Sequence, residues 1–476
     1  MPTRLIEIEA NSQRLRLSSD LTSRSRYVTL SHCWGKLVPL QLFQNNLAAL
    51  QNDIPTAKLS KTFQHAIEVT RELGLKYLWI DSLDSLCIIQ DSSSDWQSEA
   101  ATMGDVYSDS LLTVVAASAP DGSVGLFFNR NPQTVSIFSV LMGGSGSGSG
   151  GGDGDRKEEG EGRRLYGCFP GKLYQDCVTF SLLAKRAWCL QERYLAHRKV
   201  FFSDKQLVWQ CCESIACETF PNGTEHYERD FYYGVWDEWW RTAQAYSATE
   251  ITYKTDRLVA FSGIARRLSP VFESEYYAGL WGRDLPRQLL WATFETGGIR
   301  DIPYVAPSWS WASAHRMIYY PATGHDYHAP RIRIDSVKVV PQAEENPHGQ
   351  AASAAFTLTC LPMVRGYRKS SSWDPPVLSK GFWEANEVSY STKDPVYFLL
   401  VLESLSGSEI VGICLERAGL VPGEFQRIGL FRVIGIACEP FKELMADGGE
   451  FLADESDYGD TAVWSEAQKC YQITII

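Results

Sequence analysis

The chain has 476 residues, 44% of them apolar, which is enough for two or three domains that each bury a core. Its formal net charge of −12 argues against a duplex nucleic-acid binder, which normally carries a basic field. No stretch approaches the roughly 20 apolar residues needed to span a bilayer, and no apolar run follows a basic start, so neither a membrane span nor a secretory signal is expected.

Residues 1–26 are polar and weakly patterned and read as an arm or a short strand. Tyr27-Val-Thr-Leu-Ser-His-Cys-Trp-Gly35 begins as a β-rich apolar run and ends in a glycine turn, so it predicts a strand feeding a loop. Over 60–73, Phe63, Ala66, Ile67, Thr70 and Leu73 share one helical face, with Gly74 placed as the residue after the cap. Lys76–Ile80 predicts a second strand, nearly all apolar as if covered on both faces, and it ends at Asp81. Asp95 reads as an N-cap, followed by Trp96, Ala100, Met103 and Tyr107 on an apolar helical stripe. Leu111–Ala117 predicts a third buried strand. Strand–helix alternation of this kind predicts an α/β fold with a parallel sheet and right-handed crossovers.

Residues 143–164 are Gly/Ser-rich and then charged. Such a segment cannot bury apolar area and reads as a disordered insertion, after which the α/β pattern resumes. Arg186–Leu195 reads as a helix, and Lys199–Phe202 and Gln206–Trp209 as strands. Residues 228–300 are aromatic-rich and read as mostly helical, with Asp230–Trp240 and Leu258–Leu268 as helices. From about 330 the texture becomes short β-like runs: Arg331–Val340, Ala355–Leu361, Val396–Leu402, Ile410–Leu415 and Ile428–Ile436. The resulting plan is an arm (1–26), an α/β domain (27–215), an aromatic-rich helical extension (216–329) and a β-rich carboxy-terminal domain (330–476). The 12 cysteines are scattered, mostly in apolar runs, which fits buried thiols in a reducing cytoplasmic compartment.

Several segments, taken in order, resemble the HET (heterokaryon incompatibility) domain family of filamentous fungi. They are Tyr27–Gly35, Tyr77-Leu-Trp-Ile-Asp-Ser82, Leu86-Cys-Ile-Ile-Gln-Asp91, Asp95-Trp96 with Glu99, Met103–Tyr107, and Arg186-Ala-Trp-Cys-Leu-Gln-Glu192 with Arg198. Blocks nearer the carboxy terminus, among them Thr255–Ala265 and Ala306–Ala312, are similar to segments found downstream of the domain in such proteins. One departure is a duplicated Asp-Ser-Leu: Asp81-Ser-Leu is followed by Asp84-Ser-Leu, which leaves two aspartates for one family position. The resemblance implies incompatibility-type cell-death signalling with other proteins of that pathway. HET domains in turn look distantly similar to TIR domains, with a TIR/flavodoxin-like sheet. That likeness implies a catalytic Glu192, NAD as substrate rather than cofactor, and assembly into a homo-oligomer.

Cleaving the bond between nicotinamide and ribose builds positive charge on the sugar, and a nearby carboxylate stabilises it. Glu192 follows Trp188 by four residues, so both lie on one helical face, where a ring could stack on substrate. The alternative is that Glu192 pairs with Arg186 or Arg193. Ser31, His32 and Trp34 follow the first strand, and Asp81 ends the second, at the strand ends where open α/β sheets bind ligands. Turn formation, helix capping and core packing are the alternatives for these residues. No metal site is expected, because Cys211, Cys212 and Cys217 lack paired ligand spacing. No P-loop is present. Trp309 and Trp311 alternate with serines as on a strand with one aromatic face, which suits a partner groove or a domain seam.

Overall fold

The computed structural model describes the chain outside residues 22–24, 34, 36–39, 81–85, 143–163, 224–234, 294–303, 315, 323–325, 367–394, 420, 448–451 and 459–469. Trp34, Asp81, Asp84, the Gly/Ser insertion and the start of the Asp230–Trp240 segment therefore lie outside the described residues. The fold is mixed α/β. It divides into two compact units, the first formed by 1–96, 106–185 and 196–229, the second by 97–105, 186–195 and 230–476.

The elements through 217 are β1 (Arg4–Ile8), β2 (Gln13–Leu17), β3 (Tyr27–Ser31), α1 (Leu47–Asn52), α2 (Lys61–Glu72), β4 (Tyr77–Ile80), α3 (Ser93–Asp109), β5 (Leu112–Val115), β6 (Phe138–Met142), β7 (Arg164–Cys168), α4 (Ala187–Leu195), β8 (Arg198–Phe202), β9 (Leu207–Cys211) and β10 (Ile215–Cys217). The first unit is built on an eight-stranded sheet in the order β10-β9-β8-β5-β3-β4-β1-β2. Its centre, β4-β3-β5-β8, is parallel, as the strand–helix alternation predicts. The sheet as a whole is mixed, because both flanks are hairpins, and a short connection can only join antiparallel neighbours. One of those flanks corrects the reading of 1–26 as an arm or a single strand: β1 and β2 pair, and β1 extends the sheet along β4. Ile6, Ile8 and Leu15 are buried on one face of this hairpin and Leu5 on the other.

Every residue of β3 and β5 is buried, which fits strands covered on both faces. Their two threonines bond each other, Thr29 Oγ1 to Thr113 Oγ1 at 2.7 Å, so their hydroxyls are satisfied inside the core. Helix α2 starts one residue after Ser60, whose Oγ accepts the Phe63 N–H, and it ends before Gly74 at φ +69°. In α3 the N-cap is Ser92 rather than Asp95: the Ser92 Oγ accepts the Asp95 N–H at 3.2 Å. Asp95 instead sits in the first turn, where the dipole favours a carboxylate.

The second unit continues with α5 (Val235–Ser247), α6 (Val259–Phe272), β11 (Tyr276–Tyr277), β12 (Leu280–Trp281), α7 (Leu285–Gln288), β13 (Ala292–Thr293), β14 (Ile318–Tyr319), β15 (Arg333–Pro341), β16 (Ala351–Cys360), β17 (Val364–Gly366), β18 (Val396–Glu403), β19 (Glu409–Arg417), β20 (Glu424–Ile434), α8 (Cys438–Asp447), α9 (Glu455–Tyr458) and β21 (Tyr471–Ile475). The aromatic wealth of its first part becomes a core: Trp239 meets Phe261, Phe272, Tyr276 and Trp281, and Trp311 meets Tyr246 and Phe261. Trp309 and Trp311 correct the strand expectation. Both are fully buried, and Trp311 opens a 3₁₀ turn; its Nε1 donates to the Gly279 carbonyl at 2.6 Å. They therefore form no surface groove.

The carboxy-terminal β-like runs form one seven-stranded sheet, β15-β16-β21-β20-β19-β18-β17. All its neighbours are antiparallel except β20 and β21. Those two can run parallel because 435–470 lie between them, long enough for a crossover. Helix α8 seals this sheet, its Phe441, Leu444 and Met445 clustering with Phe398, Phe431 and Val433.

Candidate functional site

Taken in chain order, the four parallel strands β3, β4, β5 and β8 lie in the spatial order second, first, third, fourth. The order reverses between β3 and β5, and in open α/β sheets the crevice beyond the carboxyl ends at such a reversal is where ligands bind. Ser31 and His32 stand at this point. The Ser31 carbonyl accepts the Ala116 N–H at 2.9 Å, which locks the ends of β3 and β5 side by side. Ser31 is buried, and His32 is buried with its ring edge-on to Phe63 of α2, centroids 5.1 Å apart.

Polar groups that the sequence reading did not single out lie at the same carboxyl ends. Ser118, just past β5, donates to Asp204 Oδ1 at 2.8 Å and accepts the Asp204 N–H at 3.1 Å, which ties it to the end of β8. Asp121 accepts the Ser123 hydroxyl at 2.6 Å and its amide at 2.8 Å, and these bonds hold its carboxyl below the usual range. Gly35 has φ +69°, and a Cβ there would stand 2.1 Å from the Asp121 Cβ, so the loops after β3 and β5 approach this closely only because residue 35 is glycine. His65 stacks on Phe127 with centroids 4.2 Å apart, and its Nδ1 accepts the Leu126 N–H at 3.0 Å. Burial, with Lys61 nearby, pushes its pKa below the ordinary histidine value. Ser118, Asp121 and Asp204 follow strands that the sequence does predict. The strand-end rule that selected Ser31 and Asp81 would have found them too.

Trp188 and Glu192 belong to α4, in the second unit. Trp188 is half-buried, and Glu192 is 3% exposed. Glu192 is the sixth residue of α4, beyond the first turn, so it gains little from the helix dipole. Around it the helix is held tightly: Gln191 Oε1 accepts the Gly263 N–H of α6 at 2.7 Å. Burial, together with Glu238, raises the Tyr194 pKa to about 12. Glu99 is a second buried acid, 2% exposed, on the part of α3 that belongs to this unit. Its signal was in the sequence: it falls on the apolar stripe, three residues after Trp96 and four before Met103.

Among the described residues, no group of three or more His, Cys, Asp or Glu side chains could hold a metal ion. None of the helices they form is long and apolar enough to cross a membrane. Residues 27–192 match the family model described as Heterokaryon incompatibility protein (HET). Over that stretch the chain is similar to the HET family. The HET match opens at the first residue of β3 and closes on Glu192 of α4. No curated protein and no solved structure matches the chain.

Proposed function

We propose that this chain acts in a heterokaryon-incompatibility-type response, the self/non-self recognition of filamentous fungi that ends in programmed cell death. We propose further that its output is cleavage of NAD between nicotinamide and ribose. The observation that carries this reading is the HET match over 27–192, which ends on a buried acid one helical turn from Trp188. In the reaction the glycosidic bond breaks, nicotinamide leaves with the bonding electrons, and water supplies the oxygen that replaces it on the sugar. The Glu192 carboxylate stabilises the positive sugar in between, and Trp188 offers a ring for stacking. The strand order second-first-third-fourth is the one with which flavodoxin-like sheets begin, which supports a TIR-like reading of the sheet. The reading places the chain in the cytoplasm, acting as an assembly of copies.

The test is nicotinamide release from NAD by the purified chain. Turnover that disappears in Glu192→Gln, with an unchanged thermal melt, supports the enzyme. Absence of turnover across the full range of protein concentration sinks it.

A second reading, a non-catalytic docking module, is favoured by the β6–β7 hairpin. Phe138, Leu141 and Leu165 on that hairpin are 60%, 54% and 69% exposed. Leu141 and Leu165 stand directly opposite each other in the pairing, and adjacent exposed apolar side chains of this kind mark interaction surfaces. Here Phe138→Ser with Leu165→Ser would abolish association with pathway proteins while leaving any NAD turnover intact.

A further inference from the structure

The β6–β7 hairpin is a two-stranded sheet that no third strand joins among the described residues. Its base is tied to the segment just after β10. Thr219 Oγ1 donates to the Val135 carbonyl at 2.9 Å, and Phe169 meets the Phe220 ring edge-on with centroids 4.9 Å apart. Beyond that base the hairpin is uncovered: Ile137, Phe138, Leu141, Leu165, Tyr166 and Phe169 are 48%, 60%, 54%, 69%, 46% and 37% exposed. By the two-residue alternation of a strand, Phe138 and Tyr166 lie on the face opposite to Leu141 and Leu165. Apolar side chains therefore meet water on both faces.

A lone two-stranded hairpin is marginal in water, and three or more strands are needed for independent stability. Natural proteins blunt an open strand edge with charged residues, proline or a bulge. β6, Phe138-Ser-Val-Leu-Met142, has no charged residue and no proline, and its register with β7 runs without a break. β7 contains Gly167, which weakens a strand, so β6 is the stronger pairing edge. The neighbouring residues 143–163 include no apolar side chain, so they have none to lay over the hairpin. At roughly 200 Å² per large side chain, the exposures above amount to on the order of 600 Å². Two copies together hold about twice that, the size at which specific interfaces begin.

We propose that β6 is a self-association edge, which pairs antiparallel with β6 of a second copy about a two-fold axis at Val140, so that two hairpins join into one four-stranded sheet. A two-fold contact uses the same surface on both chains, so an edge that is open on one is open on the other. With Val140 on the axis, it faces Val140 of the second copy, and Ser139 faces Leu141. Valine favours such a strand position, and no charge is set against a like charge. The opposition is long-range only, since each chain carries a formal charge of −12. This inference deepens the reading of the chain as an assembly of copies and rests on it, naming the surface that assembles.

The full chain is followed by sedimentation velocity over a range of concentrations. A dimer is expected, and it should tighten as salt screens the repulsion between two acidic chains. Val140→Lys and Val140→Glu each set like charges face to face at the axis, and each alone should weaken the dimer by about tenfold or more. An equimolar mixture of the two variants opposes lysine to glutamate and should recover the dimer to within about threefold of the native chain. Val140→Cys, oxidised with glutathione disulfide, should give a dimer cross-linked through residue 140 on both chains, identified by peptide mass spectrometry. A native chain that is monomeric at every concentration overturns the proposal. So does a native dimer that neither charged variant weakens, which would keep the assembly reading and move it to another surface. Weakening without recovery in the mixture, and with no cross-link at 140, overturns the two-fold pairing. If a charged variant fails to fold, the cross-link decides. A dimer that releases no nicotinamide leaves this proposal standing and sinks the NAD reading, and nicotinamide release by a monomer does the reverse.

Discussion

Arg4, in the first strand of the chain, donates through Nη2 to Asp95 Oδ2 at 2.5 Å and through Nε to the Cys87 carbonyl at 2.7 Å. Asp95 also accepts the Ile89 N–H at 2.8 Å. The amino-terminal hairpin is thereby fastened to the Leu86–Asp91 segment and to the start of α3 by one nearly buried ion pair. Breaking such a pair strands a charge inside the fold. Asp95→Asn is expected to cost less than Arg4→Met, because an amide still accepts hydrogen bonds. Arg4→Met should destabilise by about 3 kcal/mol, read from the denaturant midpoint. Equal, negligible losses for both would show the pair to be incidental.

The α3–α6 contact predicts a steric effect. A Cβ on Gly104 would lie 3.0 Å from the Gly263 Cα and 3.1 Å from Leu195 Cδ1. The first of these neighbours is backbone and cannot swing away. Gly104→Val should lower stability by roughly 1–3 kcal/mol through overpacking. Gly104→Ala should be milder. A thermal melt orders the two variants against the native chain.

Asp256 carries a pH prediction. Burial raises its pKa from 3.8 to about 6. The folded chain therefore binds the extra proton between those values, and stability falls as pH rises through that window. Asp256→Asn abolishes the penalty. Its stability gain over the native chain should be present at neutral pH and vanish near pH ~4, on the order of 1–2 kcal/mol because the half-buried group is partly screened. A gain that is the same at both pH values would contradict this.

Cys211 should be the fastest-alkylated thiol at neutral pH. The Glu213 amide, assisted by the Ser214 amide and hydroxyl, brings its pKa down to about 7 against the opposing effect of burial. Thiolate is the reactive form, so its iodoacetamide rate should rise with pH to a half-maximum near that value. Ser214→Ala should move the midpoint upward. A midpoint at the ordinary cysteine value in the native chain would remove the claim.

The sequence by itself determined much of the local structure. The buried strands β3, β4, β5 and β8, helices α2, α3, α4 and α6, and the β runs after 330 were legible because burial on one or two faces writes its period into the chain. The HET resemblance was legible for a similar reason, since its motifs are contiguous: Tyr27–Gly35 and Trp188–Glu192 each occupy one short segment. What only the tertiary structure decided is non-local. That 1–26 form an edge hairpin depends on β1 pairing with β4, about seventy residues on. That Trp309 and Trp311 are core depends on what covers them, and alternation in sequence does not state that. Ser92 took the cap from Asp95 because Asp95 has a distant partner, Arg4, and no local pattern records a cation 91 residues away. The grouping of Ser118, Asp121 and Asp204 at the strand ends likewise follows from strand order, a property of how the sheet assembles and not of any one segment.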